Sequence, residues 1–326
     1  MPVMHTKTKK MPLWAIFTAD ILALGIFLCT FSLFHHVLPK VGDQHGIHID
    51  NPYDTQSEST STDGTAESTD PKEEPDWYSL FTASPTFTDN SYSDSGCYLC
   101  FNEYSYGNGN DKVTYYVTEV YVKDVTRIRT AFADDTYGQG IYERIKSMAK
   151  RHGAIFATSG DYYGSNETGP VIRNGTIYRA EDTGSDICVL FYDGTMEMYL
   201  KGQYDIDELI EKGAWQSWKF GPALVDKGTP FAKFNTTSYL TQVHPRAGIG
   251  YYEPGHYCFV TVDGRQDHSV GVDLKDFAKI FTSLGCTMAY NLDGGRSACC
   301  IFRGEYINSP YKDGRSICDM IFIGGE

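Results

Sequence analysis

The sequence predicts an α+β fold: a mixed, strand-rich sheet domain with a few flanking helices, preceded by one transmembrane helix and a disordered stalk. Three observations carry this. Residues 13–38 are largely apolar and long enough to cross about 30 Å of hydrocarbon. Residues 50–76 hold nine acids against one Lys and almost no apolar side chain, so they cannot bury enough surface to offset chain entropy. Beyond residue 77, short β-branched and aromatic runs separated by Gly-containing turns outnumber helix-period stretches, which suits hairpin-linked strands with helices set apart.

Lys7, Lys9 and Lys10 precede the apolar stretch and only Lys40 follows closely. That asymmetry keeps residues 1–12 cytoplasmic and exports the rest. Asp20 interrupts the span near its basic end, where it can sit at the interface. No small-residue cleavage site closes the stretch, and Leu28-Cys29 lacks the small residue that precedes a lipidated cysteine. An uncleaved signal anchor is therefore expected, with residues 39–76 as an acidic stalk and 77–326 as the head.

Within the head, residues 112–123 (KVTYYVTEVYVK) predict a strand or hairpin. Residues 141–152 predict a helix closed by Gly153, and residues 154–158 a short buried strand. Asp193-Gly194 joins strands over 187–192 and 195–199, and a helix over 206–212 ends at Gly213. A strand over 257–262 runs into Asp263-Gly264-Arg265. Leu274, Phe277, Ala278, Phe281 and Leu284 recur at helical spacing, so residues 273–284 predict an amphipathic helix with Asp273 as N-cap and Gly285 at its end. Strands over 286–290, 299–302 and 317–323 complete the head.

The formal charge is −14, but the stalk supplies more than half of it and the head is only mildly acidic. No basic run follows the first segment, which argues against a nucleic-acid partner. GxSxG, P-loop and GxGxxG patterns are absent, removing support for common serine-hydrolase and nucleotide sites. Nine cysteines include Cys29 in the span. The other eight are compatible with disulfides, although buried thiols are the commoner outcome. Cys97-x-x-Cys100 suits a local disulfide or half a metal site. No cofactor is expected; the acids would allow a divalent cation, but no motif indicates one.

The chemistry concentrates in Asn291-Leu292-Asp293-Gly294-Gly295-Arg296-Ser297. An amide, a carboxylate, two glycines, a guanidinium and a hydroxyl at a strand end can build a site for an anionic or sugar ligand. A tight turn with Asp293 bonded to its own backbone would show the same residues. Asp161 and Asp263 also lie beside a Gly where predicted strands end. Arg246, Arg265 and Arg315 sit in or next to Gly-punctuated turns. Carboxylates with several guanidiniums suit a phosphate-bearing sugar: Arg binds phosphate oxygens in bidentate fashion, and a carboxylate activates water or steadies an oxocarbenium-like centre. His244, His256 and His268 are candidate bases, though a lone His in such a domain is more often structural.

The order of segments resembles the phosphodiester glycosidase family. Ile155-Phe156-Ala157-Thr158-Ser159-Gly160-Asp161-Tyr162-Tyr163, Phe220-Gly221-Pro222-Ala223-Leu224-Val225 and Pro245-Arg246-Ala247-Gly248-Ile249-Gly250 come first. Val262-Asp263-Gly264-Arg265, the Asn291 to Ser297 motif and Asn308-Ser309-Pro310 follow, all within residues 112–323. Two departures stand out: Arg296 and Ala298 replace a third glycine and a second serine, and Ser159-Gly160-Asp161 replaces an Asn-Gly before the aromatic pair. The resemblance implies hydrolysis of a sugar C1–O–phosphate bond. It implies Arg246, Arg296 and Arg315, joined by Arg265, holding the phosphate, with the Gly294 and Gly295 N–H groups assisting. Asp293 is then the principal carboxylate, Asp263 or Asp161 the second, and Asn291 and Ser297 orient the sugar. For a tethered, exported head the expected partner is a phosphorylated envelope glycan or exopolysaccharide. The rival readings are a non-catalytic wall-polymer binding module and a metal-dependent phosphodiesterase cleaving the P–O bond.

Overall fold

The structure, a computed structural model, describes residues 11–34, 38–54, 75–165, 167–182 and 184–324. The expected basic tip (1–10) and the centre of the expected stalk (55–74) lie outside these residues. The chain divides into two units, Met1–Lys40 and Val41–Glu326.

In the first unit, Leu13–Ser32 is a 20-residue, strongly apolar helix with no buried residue. At ~1.5 Å per residue it is about 30 Å long, enough to cross a bilayer core. Thr18 and Thr30 donate their hydroxyls to carbonyls one turn back, on Trp14 and Ile26, so neither exposes an unsatisfied donor to an apolar phase.

The second unit starts earlier than the sequence suggests. Ile47–His48 pairs antiparallel with Thr176–Arg179, Ile49 is buried, and its N–H donates to the Gly175 carbonyl. Residues 41–54 therefore belong to the head and not to the stalk. One buried apolar residue, Ile49, docks this polar segment, and the sheet edge supplies backbone partners.

Two sheets form the body of the head. The larger runs Thr229–Pro230, Ala223–Asp226, Met288–Leu292, Arg246–Glu253, His256–Val262, Val113–Val122, Cys97–Tyr106, Ser91–Ser93 and Thr86–Phe87. The smaller runs Glu305–Tyr306, Cys300–Phe302, Ala154–Ser159, Asp319–Gly324 and Arg129–Phe132. Every ladder within them is antiparallel. Alternation along each strand sorts the core into layers. Ile249, Tyr257 and Phe259 meet Phe156, Phe302, Ile321 and Ile323 between the sheets. Cys258, Val260 and Val262 point the other way, onto Leu274, Phe277, Ala278 and Phe281 of the Leu274–Ser283 helix. Met320 and Phe322 likewise turn outward onto Ile145, Met148 and Ala149 of the Ile145–Arg151 helix. Helix, sheet, sheet and helix thus stack in that order.

The Leu274–Ser283 helix is capped as expected. The Asp273 carboxylate accepts from the Asp276 N–H at 2.8 Å, and Gly285 takes φ +87°. Asp273→Ala is expected to cost about 1 kcal/mol, measurable as a lower urea midpoint at unchanged slope. The helix predicted over 141–152 is shorter, Ile145–Arg151, because Glu143 exchanges both backbone bonds with Ile317. The strand predicted over 286–290 moves to Met288–Leu292, since its register with Arg246–Glu253 continues until Leu292 faces Ala247. All nine cysteines are free thiols. Cys97 and Cys100 lie three apart on one strand, so they point to opposite faces and form no local disulfide.

Candidate active site

Strand ends from both sheets meet at the Asp293 turn. The Asp293 N–H donates to the Gly160 carbonyl at 3.0 Å, and Ser159 Oγ donates to the Asp293 carbonyl at 2.8 Å. These bonds tie the end of Met288–Leu292 to the end of Ala154–Ser159. The next backbone passes close by: a Cβ at Gly294 would lie 2.8 Å from the Pro245 carbonyl oxygen. Gly295, at φ +61°, donates its N–H to that same oxygen at 2.8 Å. Neither position tolerates a side chain, the first for space and the second for backbone strain.

A cavity of about 380 Å³ opens over this turn, lined by Tyr162, Phe220, Tyr239, Leu240, His244, Arg246, Arg265, Asp293, Gly294, Gly295, Arg296 and Arg315. Among the described residues Asp293 is its one carboxylate, and it is only 4 % exposed. Arg315 Nη2 donates to both Asp293 oxygens, at 3.1 and 3.0 Å, and Arg315 Nε donates to Ser297 Oγ at 2.6 Å. Burial pushes the Asp293 carboxyl up to about 6, against the opposing pull of Arg315 and Ser297. Tyr162 lies under the Arg315 guanidinium at 4.9 Å.

The other guanidiniums are held by neutral acceptors. Buried Arg246 gives Nε to the Val272 carbonyl and Nη2 to those of Leu240 and Gln242. Its desolvation pulls it down to about 10. Exposed Arg296 donates Nη2 to the Gly314 carbonyl at 3.0 Å. Arg265, at φ +60°, donates Nη2 to His244 Nδ1 at 2.9 Å and to the Tyr239 hydroxyl at 3.3 Å. Since Arg only donates, His244 Nδ1 accepts, and Nε2–H faces the Tyr239 carbonyl at 2.8 Å. Desolvation, aided by Arg246 and Arg265, lowers the imidazole's pKa. His244 is thus a neutral holder of Arg265.

Four residues named from sequence stand behind the cavity wall. Asp263 accepts from Asn308 Nδ2, the Ser309 N–H and His268 Nε2, which anchors the Asn308-Ser309-Pro310 loop. Asp161 accepts from the Tyr162 and Lys219 N–H groups and lies 3.6 Å from Arg173. Both are buried without lining the cavity. The Asn291 side chain donates to the Gly221 carbonyl at 2.6 Å, and buried Ser297 acts through Arg315 and Asp293. The Gly295 N–H is taken by Pro245, so of the glycine pair only Gly294 keeps its N–H without a partner among the described residues.

Residues 152–324 match the phosphodiester glycosidase family. The chain belongs to that family. It is 36 % identical over 234 residues to the SPbeta prophage-derived uncharacterized protein YomE of Bacillus subtilis (strain 168). That alignment takes in 65 % of this chain but only 36 % of YomE. Among solved structures, the fold is similar to the zebrafish N-acetylglucosamine-1-phosphodiester alpha-N-acetylglucosaminidase catalytic domain, auto-inhibited by its pro-peptide. The TM-score is 0.58 at 20 % identity, covering 70 % of this chain and 84 % of that one. A hypothetical protein from Synechocystis gives a TM-score of 0.48 at 14 % identity, over 70 % of this chain and 62 % of that one.

Within this glycosidase-family framework, sequence reasoning missed Tyr162, Phe220, Tyr239 and Leu240 as cavity walls, and His244, a candidate base from sequence, lines the cavity as the acceptor for Arg265. Tyr162, Phe220 and His244 sat inside or beside motifs already singled out. Tyr239 and Leu240 lie in irregular chain between Thr229–Pro230 and Arg246–Glu253, where no periodicity marks them.

Proposed function

We propose that this protein is a membrane-anchored, extracytoplasmic hydrolase. Its target is the glycosyl C1–O–P bond of a sugar-1-phosphodiester in a cell-envelope polysaccharide or exopolysaccharide. The observation that carries the reading is a single buried carboxylate, raised to about 6, inside a cavity lined by four guanidiniums. The Leu13–Ser32 helix, with lysines gathered on its N-terminal side, supports the anchor and its orientation.

The chemistry follows from the leaving group. As the C1–O bond breaks, its electron pair stays on the phosphate oxygen, and the phosphate monoester leaves with little need of a proton. Positive charge builds at C1 and the ring oxygen, where the Asp293 carboxylate stabilises it or draws the proton from the attacking water. The water oxygen becomes the sugar's anomeric hydroxyl. Arg296 and Arg315, with the Gly294 N–H, face the phosphate and take up its growing charge. A pure binding module would use the same arginines, but a buried carboxylate among them would only weaken its grip on an anion. That favours hydrolysis.

The test uses the full chain in non-ionic detergent, a panel of sugar-1-phosphodiesters, ¹⁸O-water and phosphorus NMR. Free sugar and an unlabelled phosphate monoester are expected, with a chelator making no difference. Label in the phosphate would establish P–O cleavage, and saturable binding without product would establish the binding module. Turnover should also rise with pH through about 6, because Asp293 must be ionised to act and its burial moves that ionisation up. A flat profile from pH 5 to 7 would remove Asp293 from the reacting group.

A further inference from the structure

We infer that the ligand carries a second phosphoryl group besides the scissile diester, received by a separate cationic station in the same cavity. This rests on the hydrolase reading above and specifies its substrate class. The starting point is a charge imbalance. Among the described residues four guanidiniums line the cavity against one carboxylate, and His244 is neutral, which leaves a surplus of three positive charges on the lining. Only Arg315 is paired with an acid, Asp293. Among the described residues Arg246, Arg265 and Arg296 have no carboxylate within 4.0 Å. They are fixed by the carbonyls of Val272, Leu240, Gln242 and Gly314, the His244 imidazole and the Tyr239 phenol. Neutral acceptors hold a guanidinium in place without cancelling its charge. Burying one so, as at Arg246, is costly, and Asp273, acting on it from beyond 4.0 Å, offsets that cost only in part.

A phosphodiester brings one negative charge. Even the departing monoester, at about −1.5 to −2, compensates no more than two of the three. The bonding also separates two stations. One is the Asp293, Ser297, Arg315 and Tyr162 cluster, bonded through Arg315. The other is the His244, Arg265 and Tyr239 cluster, with Arg246 pinning the adjacent Leu240 and Gln242 carbonyls. The first faces the reacting carboxylate and takes the scissile phosphate. The second has a stiff, pre-set guanidinium and no reacting group, which suits recognition of a neighbouring phosphate. A chain of repeating glycosyl phosphates and a small diphosphate-linked sugar both present this chemistry.

Sugar-free probes test the inference apart from turnover. Dimethyl phosphate is the monoanion. Two methyl phosphodiesters on a propane-1,3-diyl linker mimic consecutive polymer units, and dimethyl pyrophosphate mimics the diphosphate. Calorimetric titration of the full chain in detergent is expected to show at least one dianion binding about tenfold more tightly than dimethyl phosphate, with a steeper loss on adding salt. Preference for the linked diesters assigns the repeating polymer, and preference for the pyrophosphate assigns the small diphosphate. Arg265→Gln is expected to bring the ratio close to one, and His244→Ala, which removes the acceptor that holds the Arg265 guanidinium, provides a second variant should the first misfold. Equal binding of all three probes, or a preference surviving in both variants, overturns the inference. If that happens while hydrolysis persists, only the second station falls. If the preference stands with no hydrolysis on any diester, the hydrolase reading falls instead.

Discussion

Asp293→Asn is expected to lower kcat on a glycosyl phosphodiester by about 10³-fold, within the range a positioned acid–base group supplies. The asparagine keeps an oxygen for Arg315 Nη2 but can neither accept a proton nor carry the charge that steadies an oxocarbenium-like centre. Its effect on the fold should be small or favourable at neutral pH. Burial raises the Asp293 carboxyl to about 6, so its ionised form is a cost to the folded state. The stabilising contribution of the protonated group is complete below the ordinary carboxylate value near 4 and is lost as pH rises through about 6. At pH 8 the variant should therefore melt no lower than the parent while losing turnover. Single-turnover rates and thermal melts on the same preparations give both readouts. Full turnover in Asp293→Asn would remove the carboxylate from the mechanism, and an early melt would contradict the electrostatic account.

How far the sequence could carry this site depends on which contacts are local. The glycine pair after Asp293 was legible because a strand ending in two glycines has few reasons to exist other than close backbone approach. The structure supplies that reason in the Pro245 carbonyl. Asp161 and Asp263 carry the same local signature of an acid beside a glycine at a strand end, yet both are enclosed in the fold. What separates them from Asp293 lies outside their motifs: Arg173 and, far along the chain, Asp319 beside Asp161, and Asn308, 45 residues on, beside Asp263. Arg246, expected from its Gly-punctuated segment to hold the phosphate, lines the cavity as a buried side chain bonded to carbonyls. Its carbonyl partners are set by the path of an irregular loop, which no propensity describes. The Leu274–Ser283 helix was legible from its own stripe, whereas the late start of Ile145–Arg151 depends on Ile317, far along the chain. The docking of residues 41–54 likewise depends on a strand more than a hundred residues on.

Arg173→Met should be the most damaging single change to stability, at about 3–5 kcal/mol, the range for breaking one side of a buried ion pair. Arg173 is 1 % exposed. Its Nε and Nη2 donate to Asp319 Oδ2 at 3.0 and 2.8 Å, and Nη1 donates to the Ile172 carbonyl at 2.9 Å and to that of Ser217. Methionine fills much of the space but leaves two buried carboxylates, Asp319 and Asp161, without their cation. The damage should depend on pH in a definite direction. Burial already raises Asp319 more than Arg173 lowers it, and without the guanidinium it rises further. Stability carried by the protonated acid is lost as pH rises through that higher value, so the gap to the parent should widen from pH 5.5 to pH 8. Urea midpoints at the two pH values measure it, and a gap that stays constant would mean the carboxylates were never charged. The consequence reaches the cavity as well. Asp319 accepts the Asp161 N–H through Oδ1 and the Gly160 N–H through its carbonyl, and the Gly160 carbonyl in turn holds the Asp293 N–H. A pair that contributes no group to the cavity thus sets where the reacting carboxylate stands. Turnover in Arg173→Met should therefore fall even under conditions where the variant remains folded.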